Sequence, residues 1–478
     1  MSSCHSVGRS KETARIIIIG SGPSGIAAAT RLLEQGFKNV TIFEAEDRIG
    51  GRIKTIPFAD SVIDLGAQWC HGEEGNVVYQ RVKDLDLVSK TESQLNTTRF
   101  LRSNKEMILQ ETANALTTIV DRSVPEGPNA YDGSFGDHLN HKYWLEVEKL
   151  PNVDRTIATE MLDNFKKGLC AFEGSDNLYE VSGHGHLEYE TCDGNQEIHW
   201  RDNGYKTFLK LLINAKEDPS DDLGVLKGRV NLNKRILEIN WEGSDELRLR
   251  CWNGEILTAD HVICTVSLGV LKEQHASMFV PALPEPKLRA VKGLKLGTVN
   301  KFFLEYVAQP LPQDWTGINF VWVEKDLKEL RGTERFWLES VSGFYIVKEQ
   351  PRLLQGWIIG EHARYMETLT ADQVLDGILW LFRKFLPFDV PFPQRFLRTQ
   401  WHSNPNFRGS YSFRTPYADD LHTGPWDLES PLTDVCGKPR LLFAGEATSK
   451  THYSTVHGAT ETGWREADRL NGFYSKLS

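Results

Sequence analysis

The chain has 478 residues, more than one ordinary hydrophobic core can serve, so two or more domains are expected. Hydrophobic residues make up 40% and charged residues 25%, the mix expected of a soluble globular protein, and no long apolar run offers a membrane-spanning helix. The formal charge of −10 speaks against a general nucleic-acid binder and suits a cationic ligand. The first residues, "MSSCHSVGRSKETAR", lack the apolar stretch of a secretory signal. The seven cysteines are scattered, odd in number and without a C-x-x-C pair, a pattern expected of reduced thiols inside a cell. Ser475-Lys476-Leu477 would be a peroxisomal address if terminal, but Ser478 follows it. The expected location is therefore the cytoplasm, with the peroxisome or nucleus as alternatives.

In chain order, four isoleucines, Ile16 to Ile19, predict a fully buried parallel strand. Gly20, Gly22 and Gly25 follow in G-x-G-x-x-G spacing, with Ser24 among them, and a helix is predicted over 26–35. Such glycines permit a tight turn and close approach of a pyrophosphate, which rests on the helix N-terminus. A second strand, "VTIFEAE", ends at Glu44 and Ala45, where a carboxylate can accept from ribose hydroxyls. Gly50, Gly51 and Arg52 come next, then "DSVIDLGAQWCHG", a strand closing in a Gly66-Ala67-Gln68-Trp69 turn. A nicotinamide dehydrogenase would continue into another helix at this point. Acid-rich stretches at 126–137 and 218–224 read as surface connections. Short strands are predicted between Val230 and Val266, with a tight turn at "WNGE". Gly293 to Tyr306 reads as a strand with Lys301 in its middle. Val299, Lys301 and Phe303 share one face, Phe302 and Leu304 the other, and neither is plainly wet. A buried strand at 441–444 delivers Gly445 and Glu446, and "STVHGA" opens a helix predicted to run to about Leu470. No G-x-S-x-G, H-E-x-x-H or clustered Cys/His metal motif stands in the sequence.

Several of these segments together resemble the flavin amine oxidases over nearly the whole chain: the Gly20–Gly25 turn, Gly50-Gly51-Arg52, the D-x-G-A-x-W segment from Asp64 to Trp69, and Gly445-Glu446 followed by "STVHGA". The resemblance implies a two-domain α/β (α+β) architecture. Residues 1–90, 226–296 and 438–478 would build a Rossmann-like FAD-binding domain, and 91–225 and 297–437 a substrate-binding domain of mixed sheet and helices. It assigns FAD contacts to Gly20, Gly22, Ser24, Gly25, Glu44, Ala45, Gly51, Arg52, Gly66, Ala67, Gln68, Trp69, Val230, Thr265, Glu446, Thr455 and Val456. Ser410 stands where monoamine oxidases carry the cysteine bonded to the flavin, so FAD would be held non-covalently. No metal is expected.

The implied chemistry removes a hydride equivalent from the carbon beside an amine nitrogen to flavin N5; dioxygen then reoxidises the flavin. In this family a lysine in the G-x-x-x-K pattern, here Gly297 to Lys301, holds a water near N5; the alternative is an edge-strand lysine with its head in solvent. His71, in the W-x-H-G context of animal polyamine oxidases, would keep a substrate nitrogen neutral; otherwise it is a loop histidine. Glu173 and Ser175 resemble the segment of spermine oxidases that receives the distal amine, although Glu173 in a loop could equally be a solvated charge. Tyr411 and Trp69 would be aromatic substrate walls, with Thr455 replacing the second cage tyrosine of monoamine oxidases. Tyr345 and Trp401 read as tunnel lining or core. The resemblance thus points to spermine oxidation, with N1-acetylpolyamine oxidation as the alternative and histone-lysine demethylation further away. The expected partners are a polyamine and dioxygen, with no nucleic acid or membrane, in a monomer or weak dimer.

Overall fold

The computed structural model describes residues 9–90, 97–124, 133–242 and 246–476. Two six-stranded sheets organise them. In the first, the isoleucine strand Arg15–Ile19 lies between Asn39–Phe43 and His261–Cys264, both parallel to it. Val230–Asn231 extends one side, and Pro439–Phe443, in parallel register with His261–Cys264, extends the other. Strands far apart in sequence thus meet in one sheet, whose largely apolar faces are covered on both sides.

Two helices cross that sheet together: Pro23–Glu34, which leaves the glycine turn, and the C-terminal Val456–Ser475. Their approach depends on small residues. A Cβ on Gly463 would stand 2.1 Å from the Ser24 carbonyl; Gly25 instead lets its helix close on the turn before it, where a Cβ would stand 2.0 Å from the Gly20 carbonyl. The C-terminal helix runs five residues past its predicted end, because Leu470 and Tyr474 remain buried against the first sheet.

The second sheet runs in the order Arg395–Arg398, Val299–Glu305, Gln350–Ile359, Val341–Val347, Gly317–Val321, Thr98–Arg102. The single strand expected over 293–306 is divided. Gly293 ends a helix, Lys295–Leu296 pairs with Ser412–Phe413, and only Val299–Glu305 joins the large sheet. The break falls at Gly297, where a Cβ would lie 2.1 Å from the Gly174 carbonyl.

The loop expected around Glu173 is instead the last turn of a long helix, Arg155–Glu173, stopped by Gly174 in the left-handed region at φ 69. Most of 126–137 lies outside the described residues, but Phe135 to Asp137 open a helix capped by Ser134. Cys70, Cys170, Cys192, Cys251 and Cys264 are free and buried. Cys436 departs from the expectation of reduced thiols: it sits on an exposed turn and is disulfide-bonded. No helix among the described residues is long and apolar enough to cross a membrane.

Candidate functional site

Lys301 lies in an interior strand, paired with Trp357 on one side and bonded to Thr399 on the other, and it is 7% exposed. Its head is therefore no solvent-seeking edge cation. The ammonium donates to the carbonyls of Asp64 (3.0 Å) and Gly66 (2.8 Å) and to Gln68 Oε1 (2.7 Å). Burial pulls the Lys301 pKa down and pushes that of the nearby Asp64 carboxyl up. Losing a proton would leave two N–H groups for the two carbonyls and a lone pair towards Gln68. The Gln68 amide is itself held face to face with Gln355, giving one hydrogen bond and taking another. Gln68, Gln355 and His199 line an open cleft of about 330 Å³.

The strand Trp69–Cys70 carries the chain from this lysine contact to His71. His71 Nδ1 lies 2.8 Å from the Gln196 carbonyl, so Nδ1 donates and Nε2 keeps its lone pair. Burial pushes the imidazole pKa down, which favours this neutral form. The Trp69 ring stacks on Trp357 at 5.9 Å, and Tyr345 meets Trp357 at 5.5 Å, its hydroxyl donating to Asn319. Trp69 Nε1 is a buried donor with no protein acceptor, as a cofactor-facing group would be. Trp401, by contrast, packs into a small core with Phe407 and Leu65.

The helix ending at Glu173 supplies the facing wall. Tyr411 donates its hydroxyl to the Ala171 carbonyl and packs its ring against Gly174. Glu173 is largely enclosed, with His186 Nδ1 3.6 Å away. Burial raises the phenol pKa values of Tyr189 and Tyr411, and the charge of Glu173 adds to the effect. Ser175 is fully enclosed beside the Cys170 thiol, with no oxygen or nitrogen partner for its hydroxyl.

The cofactor-type residues form a continuous seam. Gly20 is at φ 102 with Thr265 directly behind it, and Thr265 donates to the Ile19 carbonyl. Gly22 has open space where a Cβ would point. Glu44 Oε2 takes both the N–H and the hydroxyl of Ser21, while Oε1 takes only the Glu46 N–H and retains capacity for a ribose hydroxyl. Val230 pairs with Ile42 beside it, and Ala45 is half-buried at the strand end. Ser24 turns its hydroxyl to Thr462 between the helices. The Gly51 turn abuts Gly22; Gly66 lies too close to the Arg52 carbonyl for any Cβ, and Ala67 N–H donates to that carbonyl.

Glu446 and Thr455, both expected at the cofactor, also make bonds within the chain. Both oxygens of Glu446 are occupied by the chain itself, from Arg52 (3.0 Å), the Ser412 hydroxyl (2.5 Å) and the Ser454 N–H (2.9 Å), because this carboxylate is 5% exposed and must be matched internally. Its role is to lock Arg52 and the turn before the C-terminal helix. The Thr455 hydroxyl likewise caps that helix, accepting from Gly458 and donating to the His452 carbonyl, with Val456 as the first helical residue. Sequence reasoning missed Gln355, Trp357 and Gln196. A strand signal marks the first two, but their partners, Gln68 and Trp69, are almost three hundred residues away. The fold also assembles what no motif shows, a cluster of Cys192, His452 and His457.

Residues 23–471 match the family of flavin containing amine oxidoreductases. The human peroxisomal N(1)-acetyl-spermine/spermidine oxidase is 30% identical across 98% of this chain and 97% of its own length. Probable polyamine oxidase 5 of Arabidopsis thaliana is 27% identical across 96% and 98%. The structure superposes on putrescine oxidase bound to putrescine with a TM-score of 0.69 at 19% identity, covering 96% of this chain and 99% of that one. The glycine seam, the open capacity of Glu44 and the orphaned Trp69 donor fit the cofactor of that family, so the chain belongs to the flavin containing amine oxidoreductases and its cofactor is FAD.

Proposed function

We propose that this protein is a polyamine oxidase acting on a substrate with a free distal ammonium: spermine, converted with dioxygen and water to spermidine, 3-aminopropanal and hydrogen peroxide. The observation that carries the choice is Glu173, an enclosed carboxylate at an aromatic wall whose charged partner among the described residues is a histidine. A carboxylate so placed favours a cation far more than a neutral acetamide. Tyr411 gives that cation an aromatic face.

Bound FAD supplies the two-electron acceptor. The chain's own residues select and orient the amine. Nε2 of neutral His71 accepts a hydrogen bond from the substrate nitrogen beside the reacting carbon, and the Trp69–Trp357 stack excludes water along the methylene chain. Lys301, with its proton loosened by burial, holds a water when its contact to Gln68 opens. FAD binds non-covalently in this reading: Ser410 offers no thiol and bonds instead to both backbone groups of Val299. The three-segment FAD-binding and two-segment substrate-binding domains follow the two large sheets. Five buried free thiols against one disulfide-bonded cysteine, Cys436, favour the cytoplasm as the site of action, and fractionation of tagged full-length protein checks that placement.

N1-acetylpolyamine oxidation is the second reading, favoured by what the human relative acts on. Anaerobic mixing of the yellow protein with spermine or N1-acetylspermine separates them. Faster flavin bleaching by spermine, lost in Glu173→Gln while the acetylated amine is unaffected, is the expected result. Faster bleaching by acetylspermine, or an unchanged spermine rate in Glu173→Gln, would overturn the substrate assignment.

A further inference from the structure

Behind His71 lies a cluster that polyamine oxidation does not use. Cys192, His452 and His457 come from the turn after Tyr189, the loop before the C-terminal helix and that helix's first turn, and their ligand-capable atoms lie within 4.8 Å of one another. Cys192 Sγ is 3.9 Å from His457 Nε2, and a ring nitrogen of His452 lies within 4.8 Å of the same sulfur.

Neighbouring hydrogen bonds decide which ring nitrogens carry protons. Asn76 caps the helix Val77–Val82, its Oδ1 accepting from the N–H groups of Val78 and Tyr79. Its amide nitrogen is therefore the atom facing His457 Nδ1 at 3.4 Å, and it donates. Neutral His457 must then hold its proton on Nε2, pointed at the sulfur, and lacks the free lone pair there that a metal requires. His452 Nδ1 lies 2.7 Å from Glu461 Oε2, leaving Nε2 for the sulfur side. Burial lowers the His452 pKa, but the neighbouring Cys192 and the bonded Glu461 carboxylate outweigh it and raise the value to about 10. Two imidazoles thus converge on one sulfur, one of them oriented by a carboxylate in the manner of a nucleophile, base and orienting acid.

We propose that Cys192 is a nucleophilic thiolate, supported by His452 and Glu461, that hydrogen peroxide oxidises reversibly to a sulfenic acid. The sulfur attacks one peroxide oxygen; the S–O bond forms as the O–O bond breaks. The departing hydroxide takes the His452 proton and leaves as water, so sulfur loses two electrons and peroxide gains them. That peroxide arises within the same protein rests on the oxidase reading above; the thiol chemistry does not. The position has consequences for the site. The Cys192 carbonyl accepts from the Gln196 side chain, and the Gln196 carbonyl holds His71.

The test uses full-length, FAD-loaded protein treated with added hydrogen peroxide, a sulfenic-acid trap such as dimedone, and peptide mass spectrometry. Because peroxide is supplied, failure of polyamine turnover leaves the result intact. Cys192 is expected to acquire the adduct at least about tenfold faster than Cys251 or Cys264, with the thiol recovered by dithiothreitol when the trap is omitted. Glu461→Gln and His452→Gln are each expected to slow the reaction by about tenfold or more, with the visible flavin spectrum reporting that each variant is folded. A Cys192 that reacts no faster than the other buried cysteines would overturn the proposal. So would reaction that begins only after a chelator strips the protein, which would identify a metal site instead.

Discussion

Arg15–Ile19 and Val299–Glu305 are both central strands, each buried and each flanked by neighbours on either side, yet they hold the molecule together by different means. The first presents four isoleucines to its two faces and leaves specificity to the turn that follows it. The second buries three polar side chains: two reach out of the sheet to fasten another segment, and the third ties the strand to its neighbour. Asn300 donates to Glu367 (2.7 Å) and accepts from the Thr399 hydroxyl and the Trp401 N–H; Lys301 binds the 64–68 turn; Glu305 pairs with Arg395. An apolar strand stabilises through burial and tolerates small shifts. A strand with buried polar residues fixes positions, because each unmatched group would cost about 1–3 kcal/mol. The site is built where the second kind of strand meets the turn that crosses the edge of the first kind of sheet.

Breaking the second strand at its lysine should have the largest effect on function. Lys301→Met is expected to lower turnover by about 10²–10⁴-fold while the protein still purifies with its flavin, since the Gly20–Gly25 turn and Glu44 make no contact with Lys301. Rapid-mixing measurements should place the loss in flavin reoxidation or in release of the aldehyde product; undiminished turnover would remove Lys301 from the machinery. The two strands can also be compared on stability alone. Ile18→Ala, at a fully buried position, should lower unfolding stability by about 2–5 kcal/mol through the cavity it leaves. Asn300→Leu should lower it by about 1–3 kcal/mol and move the Lys301 strand against Trp401, so it should also reduce turnover, whereas Ile18→Ala should not. Equal loss of turnover in both variants would erase the distinction.

The same contrast governs what could be read in advance. The isoleucine strand, the glycine turn and the strand ending at Glu44 are legible because their physics is local: spacing, backbone freedom and burial are all set within about thirty residues. The site around Lys301 is only half legible. A charged residue between apolar neighbours signals something, but Gln68 and the Asp64 carbonyl are more than two hundred residues away and no periodicity links them. Gly297 breaks the expected long strand for a reason that exists only after Gly174 has been packed against it. Glu173 looks like a loop residue because the Glu-Gly-Ser-Asp string carries turn chemistry, and the glycine is indeed a stop signal, but for a helix. The carboxylate of Glu446 shows how a residue type can be recognised while its protein partners stay hidden: once buried, it had to be matched by the nearest donors, Arg52 and Ser412, which lie far off in the sequence.

The first sheet carries buried polar side chains of its own, and His261 allows a finer test. His261, at the start of the strand beside Ile16, is completely buried between the Pro439 carbonyl (2.5 Å) and the Tyr474 hydroxyl (2.8 Å). Burial lowers its pKa to about 4. An unfolded histidine titrates near 6.5, so below that pH the unfolded chain takes up a proton that the folded one refuses. Stability from this group is complete above about pH 6.5 and falls as the pH drops towards 4, by up to roughly 1.4 kcal/mol per unit. Other buried histidines and the carboxylates contribute to the same limb, so the informative quantity is a difference. His261→Gln should lower stability at pH 7 through imperfect hydrogen bonding, yet flatten its dependence between pH 6.5 and 4.5 by close to one proton. Parallel pH profiles for the two proteins would mean that His261 accepts its proton in the folded state, and that a neutral histidine is not what joins the first sheet to the C-terminal helix.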